Sequence, residues 1–390
     1  MPATATATAT RKAPERILVR GVNWLGDAVM TTPALQRLRE ALPGAHIALL
    51  TAAKLADLWS HHPDIDQVLT FEPGESVWSV GKKLRQFEFS TALVLPNSPR
   101  SALEVFLARI SRRIGHARPW RNWLLTERVA PRASEIPMRK RSPAEIRRLI
   151  SATKPAVRTA FQPEAHHIHQ YLNLSAALGA DRAPVAPRLA VTEAEVDAVC
   201  RRFGFPRERG ARVRLLGINA GAEYGPAKRW PRDYFVAAAR HVREETGCQC
   251  WVFGGRAEAD FARKLAEDIA ATGAPDTVRC LAGETSLREL CASLKACDVL
   301  LTNDSGPMHV AAAVGTAVVV PFGSTSAALT GPGLPGGGSG LRHELLSAGV
   351  ACSPCFLREC PIDFRCMTGI PIGRVVSVIM EVLGGSKFRS

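Results

Sequence analysis

Long hydrophobic runs are the first thing this chain lacks. No uninterrupted apolar stretch approaches the roughly 18 residues needed to cross a bilayer as a helix, which excludes a helical membrane protein. Aromatic side chains are scarce, at 6% of residues with three tyrosines. With no helix-turn-helix, zinc-finger or RNA-recognition signature beside them, nucleic acid is disfavoured as a partner. Negative charge is short as well: 36 acidic residues against 50 basic ones leave a formal net charge of +14. Residues 1–10 alternate Ala and Thr without a basic region ahead of an apolar core, so no secretory signal is expected and the chain is expected to be cytoplasmic.

What the chain does have is a globular composition, 46% hydrophobic with a mean hydropathy near zero. Its 390 residues exceed what one core usually supports, which points to two domains. Arginine and lysine crowd residues 109–148, fitting an anionic membrane surface, an anionic substrate or a solvated basic face.

The pattern repeats itself. Strands are expected at Arg16–Val22, His46–Leu50, Gln67–Phe71 and Thr91–Leu95, with helices at Ala28–Leu42, Lys54–His61, Val80–Phe87 and His166–Leu178. The alternation restarts with a helix at Thr192–Phe203 and strands at Leu215–Asn219, Cys250–Phe253, Val278–Leu281, Asp298–Leu301 and Ala317–Pro321. Alternating strands and helices imply parallel sheets covered on both faces. The expected layout is a tail over 1–13, a first Rossmann-like domain over 14–183 and a proline-bearing linker over 184–190. A second such domain follows over 191–370, with a terminal helix and tail over 371–390.

Three loops carry the chemistry. Thr302-Asn303-Asp304-Ser305-Gly306-Pro307 joins an apolar strand to a small-residue helix containing His309. It offers either a phosphate site at a helix N-terminus or a helix that is simply capped. Gly221 to Pro231 is rich in small residues and carries Lys228 and Arg229, a second anion-directed loop. Gly21-Val22-Asn23-Trp24-Leu25-Gly26-Asp27 has P-loop glycine spacing but an aspartate where that loop needs its lysine, so it is no nucleotide-triphosphatase loop. Asp27 is either a proton acceptor at the mouth of a cleft or a helix cap.

Other patterns are read as structural. Asp64 and Asp66 form a D-x-D at a turn, and His166, His167 and His169 do not share one helical face, so neither is expected to hold metal. Cys352, Cys355, Cys360 and Cys366 make C-x2-C-x4-C-x5-C, tighter than paired zinc knuckles, and are expected to be reduced packing residues or redox-labile thiols. No cofactor and no metal are expected.

Taken together, GVNWLGDAVMTTPALQRLR, AGAEYGPAKRWP, LAGETSL, TNDSGPMHVAAA and the cysteine-rich tail resemble the bacterial heptosyltransferases of glycosyltransferase family 9, from Ile17 to Leu383. The resemblance implies a GT-B fold, two Rossmann-like domains facing a central cleft. It implies transfer of L-glycero-D-manno-heptose from ADP-heptose to a lipid A–core acceptor, with inversion; the basic segment from Arg109 to Arg148 is expected to hold the chain at the anionic cytoplasmic leaflet of the inner membrane. It makes Asp27 the general base and Lys228 the group that meets the departing diphosphate. It puts Asp304 and Thr285 near adenine, Ser305, Gly306 and His309 at the phosphates, Gly221 and Ala222 beside them, and Glu258 near the ribose. Gly221-Ala222 replace a pair of threonines found in the family's first transferase, which favours the second. A sugar-nucleotide epimerase of the same fold, or a family 9 enzyme using another sugar or acceptor, is the alternative.

Overall fold

The computed structural model describes residues 15–151, 161–205, 213–272, 274–334 and 342–384. The expected tail over 1–13 and residues 335–340 of the glycine-rich loop lie outside them.

Six strands form the first sheet: β1 (Arg16–Arg20), β2 (His46–Ala52), β3 (Gln67–Phe71), β4 (Thr91–Val94), β5 (Arg112–His116) and β6 (Glu127–Val129). Six form the second: β7 (Leu215–Asn219), β8 (Gln249–Val252), β9 (Val278–Cys280), β10 (Val299–Thr302), β11 (Ala317–Phe322) and β12 (His343–Ser347). The orders are β3-β2-β1-β4-β5-β6 and β12-β11-β10-β7-β8-β9, with every pair parallel. These are the same doubly wound connectivity used twice. Central strands such as β1, β2 and β10 are buried nearly end to end because helices cover both faces, which is why they read as apolar runs rather than alternating ones.

Each sheet has a topological switch point, between β1 and β4 in the first and between β7 and β10 in the second. Loops leaving the carboxyl ends of those strands diverge there and open a crevice. The two crevices face one another. One apolar cluster runs without a break from Ile17, Leu35 and Trp59 to Leu294, Met308 and Val318, so the halves share a core. Residues 184–190 are stitched to both: Arg188 N–H donates to Thr32 Oγ1 (3.1 Å) and Leu189 N–H to the Ala313 carbonyl (3.0 Å).

Several expectations needed revision. The first helix starts at Leu25, not Ala28, and gives way to a second helix at Thr32–Ala41. Pro33 at the start of that second helix lacks an N–H, and the Thr31 and Thr32 hydroxyls turn back onto the Ala28 and Val29 carbonyls. Lys54–His61 is a 3-10 helix over Ala53–Trp59. The Pro99–Leu107 helix is not among the expected ones, β5 and β6 lie within the stretch that reads mainly as basic, and β12 is a short edge strand after the glycine-rich loop. The Ile372–Gly384 helix packs Val375, Ile379 and Leu383 into the same cluster as Phe235 and Val242 of the second half.

Candidate functional site

Asp27 sits in the first turn of the Leu25–Met30 helix, directly after the β1 loop. The N-cap is Trp24 in an extended conformation, and no side chain caps the helix. Asp27 therefore does not cap, and its carboxylate is left for the cleft. Burial pushes it above the usual carboxylate range; the neighbouring Asp304 charge adds to the rise, while His167 and Lys228 oppose it. A carboxylate weakly stabilised in its ionised form is a stronger proton acceptor.

The opposite wall comes from the Gly306–Ala313 helix. Its N-cap, Ser305, makes no capping bond; the Ser305 hydroxyl instead takes a bond from Asn219 Nδ2 (3.1 Å). The helix N-terminus thus keeps uncapped N–H groups, with the positive end of its dipole toward the cleft. Next to it, Lys228 Nζ lies 2.6 Å from Asp304 Oδ2, and the Thr325 hydroxyl donates to the same oxygen at 2.6 Å. Lys228 also lies over the Tyr224 ring, 4.9 Å from its centroid. His309 is buried and held down to about 4, chiefly by burial, so it is neutral near pH 7 and can offer one N–H.

Two glycines bring the walls together. A Cβ on Gly26 would stand 2.7 Å from the His309 ring, and one on Gly306 would stand 2.9 Å from Leu25. Only bare backbone allows the two helix starts to meet this closely. Between them lies a cavity of about 380 Å³ whose lining includes Asp27, Lys228, Asp304, Ser305, Gly306 and His309.

Six of the ten residues singled out from sequence are therefore gathered in one cleft. Gly221, Ala222 and Glu258 form a separate cluster behind Lys228. Ala222 N–H donates to Glu258 Oε1 (3.2 Å), with Arg229 Nη2 3.4 Å from the same oxygen. The Glu258 carboxylate fills the space above Gly221, where an added Cβ would overlap it. An anion does rest on this loop, but it is the protein's own. Thr285 precedes the Ser286-capped Leu287–Ala296 helix and is not part of the cavity wall.

Sequence reading missed His167, Thr325 and the Tyr224–Arg358 wall. His167 is the charge partner that most opposes the rise of Asp27, and burial keeps it below the usual histidine range. Thr325 was findable: it follows β11, the neighbour of β10, at the carboxyl end where ligand loops converge. The cysteine-rich loop supports this wall. Its Phe356 and Arg358 carbonyls accept from Tyr224 Oη (2.7 Å) and Ala227 N–H (2.9 Å). Arg141 of the first half donates from Nη1 to the Ala351 carbonyl (3.1 Å). Asp64 and Asp66 are engaged by Arg188 and Arg39 in a turn remote from the cleft.

The basic stretch is less free than its composition implies. Arg112 pairs with Glu127 (2.9 Å), Arg118 with Glu135 (3.1 Å) and Arg139 with Glu145 (2.8 Å). Arg121 is buried, wrapped onto the His116 and Pro96 carbonyls. Arg109, Lys140, Arg147 and Arg148 are exposed and find no acidic partner among the described residues.

The family profile for glycosyltransferase family 9 (heptosyltransferase) matches residues 77–364. Lipopolysaccharide heptosyltransferase 2 of Escherichia coli K12 is 31% identical over 326 residues, 81% of this chain and 85% of that protein. Lipooligosaccharide heptosyltransferase 2 of Haemophilus ducreyi is 28% identical over 81% of this chain and 86% of its own. Among solved structures, E. coli ADP-heptose lps heptosyltransferase II superposes with a TM-score of 0.72 at 26% identity, covering 95% of this chain and 99% of the other. An E. coli heptosyltransferase solved with ADP shares the fold, with a TM-score of 0.62 at 16% identity over 94% of this chain and 99% of that one.

Proposed function

Since this chain belongs to glycosyltransferase family 9, the heptosyltransferases, we propose that it moves L-glycero-D-manno-heptose from ADP-heptose to the inner-core heptose of a lipid A–core acceptor, with inversion at the anomeric carbon. The observation that carries this reading is the meeting, in one cleft, of a carboxylate from the first half and a lysine at an uncapped helix N-terminus from the second. The relatives' names, lipopolysaccharide or lipooligosaccharide heptosyltransferase 2, support the substrate class.

In this mechanism Asp27 accepts the proton of an acceptor hydroxyl as the oxygen attacks the anomeric carbon. The bond to ADP breaks on the far side. Lys228 and the N–H groups opening the Gly306–Ala313 helix meet the charge that grows on the departing diphosphate. Lys228 leaves Asp304 for the diphosphate when donor binds, and Asp304 keeps its bond from Thr325. Neutral His309 donates to a phosphate oxygen without adding charge. The Glu258 carboxylate turns from the Ala222 N–H to the donor ribose, freeing Gly221 and Ala222 for the phosphates, with adenine toward Thr285. Asp27 and Lys228 thus act on opposite ends of one displacement. A positioned base contributes about 10²–10⁴-fold, and fixed charge at the leaving group and alignment of the two sugars supply the larger share.

The exposed cations Arg109, Lys140, Arg147 and Arg148 direct the first half toward the phosphorylated acceptor and the anionic inner leaflet, at roughly 1 kcal/mol each near such a surface. The test of the whole reading is mass spectrometry of a deacylated core acceptor incubated with ADP- and UDP-sugars. A heptose mass increment with ADP-heptose alone supports it. ADP release with no acceptor product, or transfer from a UDP-sugar, overturns it.

A further inference from the structure

All six large apolar side chains that the described residues leave exposed belong to the first half: Trp24, Trp78, Phe106, Trp120, Trp123 and Met138. Two of them, Phe106 and Trp123, meet, and a third, Trp120, lies three residues before Trp123 in the same loop. Trp123 meets Phe106 edge-on, with centroids 6.0 Å apart. Trp120 precedes it by a single 3-10 turn and donates its indole N–H to the Asn97 carbonyl at 3.3 Å. Trp120 and Trp123 remain 54% and 67% exposed despite these contacts, so the rings are held in place yet face solvent.

Cations frame the ridge. The Arg113 guanidinium lies 5.4 Å from the Phe106 centroid, anchored by the Leu124 and Ile110 carbonyls at 2.8 and 2.5 Å. Arg128 donates to the Asn122 carbonyl at 3.1 Å, in the same 3-10 turn as Trp123. Exposed Arg109 closes the helix that carries Phe106. Asn97 and Trp120 follow the carboxyl ends of β4 and β5, the end of the sheet from which Asp27 also projects, so the ridge begins at the rim of the cleft.

We propose that Phe106, Trp120 and Trp123 insert into the headgroup layer of an anionic phospholipid bilayer, with Arg109, Arg113 and Arg128 on the lipid phosphates. Exposed aromatic rings flanked by cations, one of them an indole whose N–H is already bonded, suit that boundary layer. Three rings expose too little surface for a stable protein interface, which needs roughly 1,000 Å². The edge-on Trp123–Phe106 pair and the cation over Phe106 leave poor stacking faces for bases. The proposal deepens the reading of a lipid-borne acceptor: the ridge orients the cleft toward a substrate that stays in the membrane. Its test uses neither donor nor acceptor, so it stands or fails apart from the transfer reaction.

The experiment is co-sedimentation of the full chain with phosphatidylglycerol/phosphatidylethanolamine vesicles and with phosphatidylcholine vesicles at physiological salt, paired with quenching of tryptophan fluorescence by brominated phosphatidylglycerol. The F106A/W120A/W123A variant is expected to bind anionic vesicles about tenfold more weakly or worse, and W120F/W123F to lose most of the brominated-lipid quenching. Unchanged ADP affinity and thermal melting show that the variants are folded; should the triple variant fail that check, Trp123→Ser, at an exposed position, replaces it. Equal sedimentation of wild type and variant, or equal quenching by W120F/W123F protein once corrected for tryptophan number, overturns the proposal. Concentration-dependent dimerisation lost in the variant also overturns it, by assigning the ridge to a second copy of the chain.

Discussion

The two halves are built on one connectivity and spend their surface differently. The second half puts its polar chemistry inside: Lys228 and Thr325 both bond Asp304, and Asn219 bonds Ser305, around a helix start. Among the described residues, none of its large apolar side chains is exposed. The first half contributes one carboxylate to the cleft and leaves six large apolar groups exposed, Trp24 and Met138 on the cleft wall and the other four away from it. The same sheet order can therefore carry a polar, internally bonded wall or a surface with exposed apolar rings. Fold alone does not choose between them; the loops at the switch point do.

The sharpest way to test that division is to remove the first half's one carboxylate in the cleft. Asp27→Asn is expected to lower turnover by about 10²–10⁴-fold while leaving ADP affinity within about twofold, since the nucleotide is held by the other half. Retention of a tenth or more of wild-type turnover would break the assignment of the base. Lys228→Ala is the counterpart from the second half. A fall in kcat of about 10²–10³-fold is expected from loss of leaving-group stabilisation; a higher KM at unchanged kcat would reduce the lysine to a ground-state contact.

A smaller effect probes how the halves communicate. Asp27 must be ionised to act, and its pKa is raised by burial and by Asp304. The acid limb of kcat/KM is therefore expected above the ordinary aspartate value of about 4. Asp304→Asn removes a charge that raises Asp27 and releases a lysine that lowers it, so both changes move the limb to lower pH. An unmoved limb would mean that the two carboxylates do not sense each other across the cleft.

The smallest effect is on stability. His62, His116 and His166 of the first half are held down to about 4, 4 and 3, and His309 of the second to about 4, chiefly by burial. Their unfolded value is about 6.5, so the unfolded chain takes up protons first as pH falls. Stability present above 6.5 is then lost progressively toward 4. With three of the four groups in the first half, amide exchange there is expected to accelerate more between pH 6.5 and 4.5 than in the second. Equal acceleration would show that the shared core makes the two halves one unfolding unit.

How much of this was readable in the sequence follows the same divide. Strands β1, β7 and β10 announce themselves as apolar runs ending in Gly, Asn or Asp, and the loops after them carried the six cleft residues. β5 did not, because its outward positions are arginines whose partners, Glu127 and the Leu124 carbonyl, are fixed only by tertiary structure. The basic stretch announced charge but not its use: Arg121 looks like a surface cation and is buried on backbone carbonyls. The start of the first helix was misjudged because Trp24 is an unusual N-cap and Asp27 resembles one. Glu258 was located by resemblance, yet its hold on the Ala222 N–H, a carboxylate seated on a phosphate loop, has no signature in spacing.

The glycine contact between the helix starts carries one more consequence. Asp27 is the residue after Gly26, and Gly26 rests on the ring of His309. Any motion that parts the halves to admit a bulky acceptor must draw the carboxylate away from the helix proposed to hold the diphosphate. On the proposed mechanism, proton abstraction and leaving-group support are thus coupled through a contact too close to admit a methyl group. If Asp27 is the base as proposed, an open enzyme is a disarmed one: a donor bound while the cleft gapes has no carboxylate beside it to activate water.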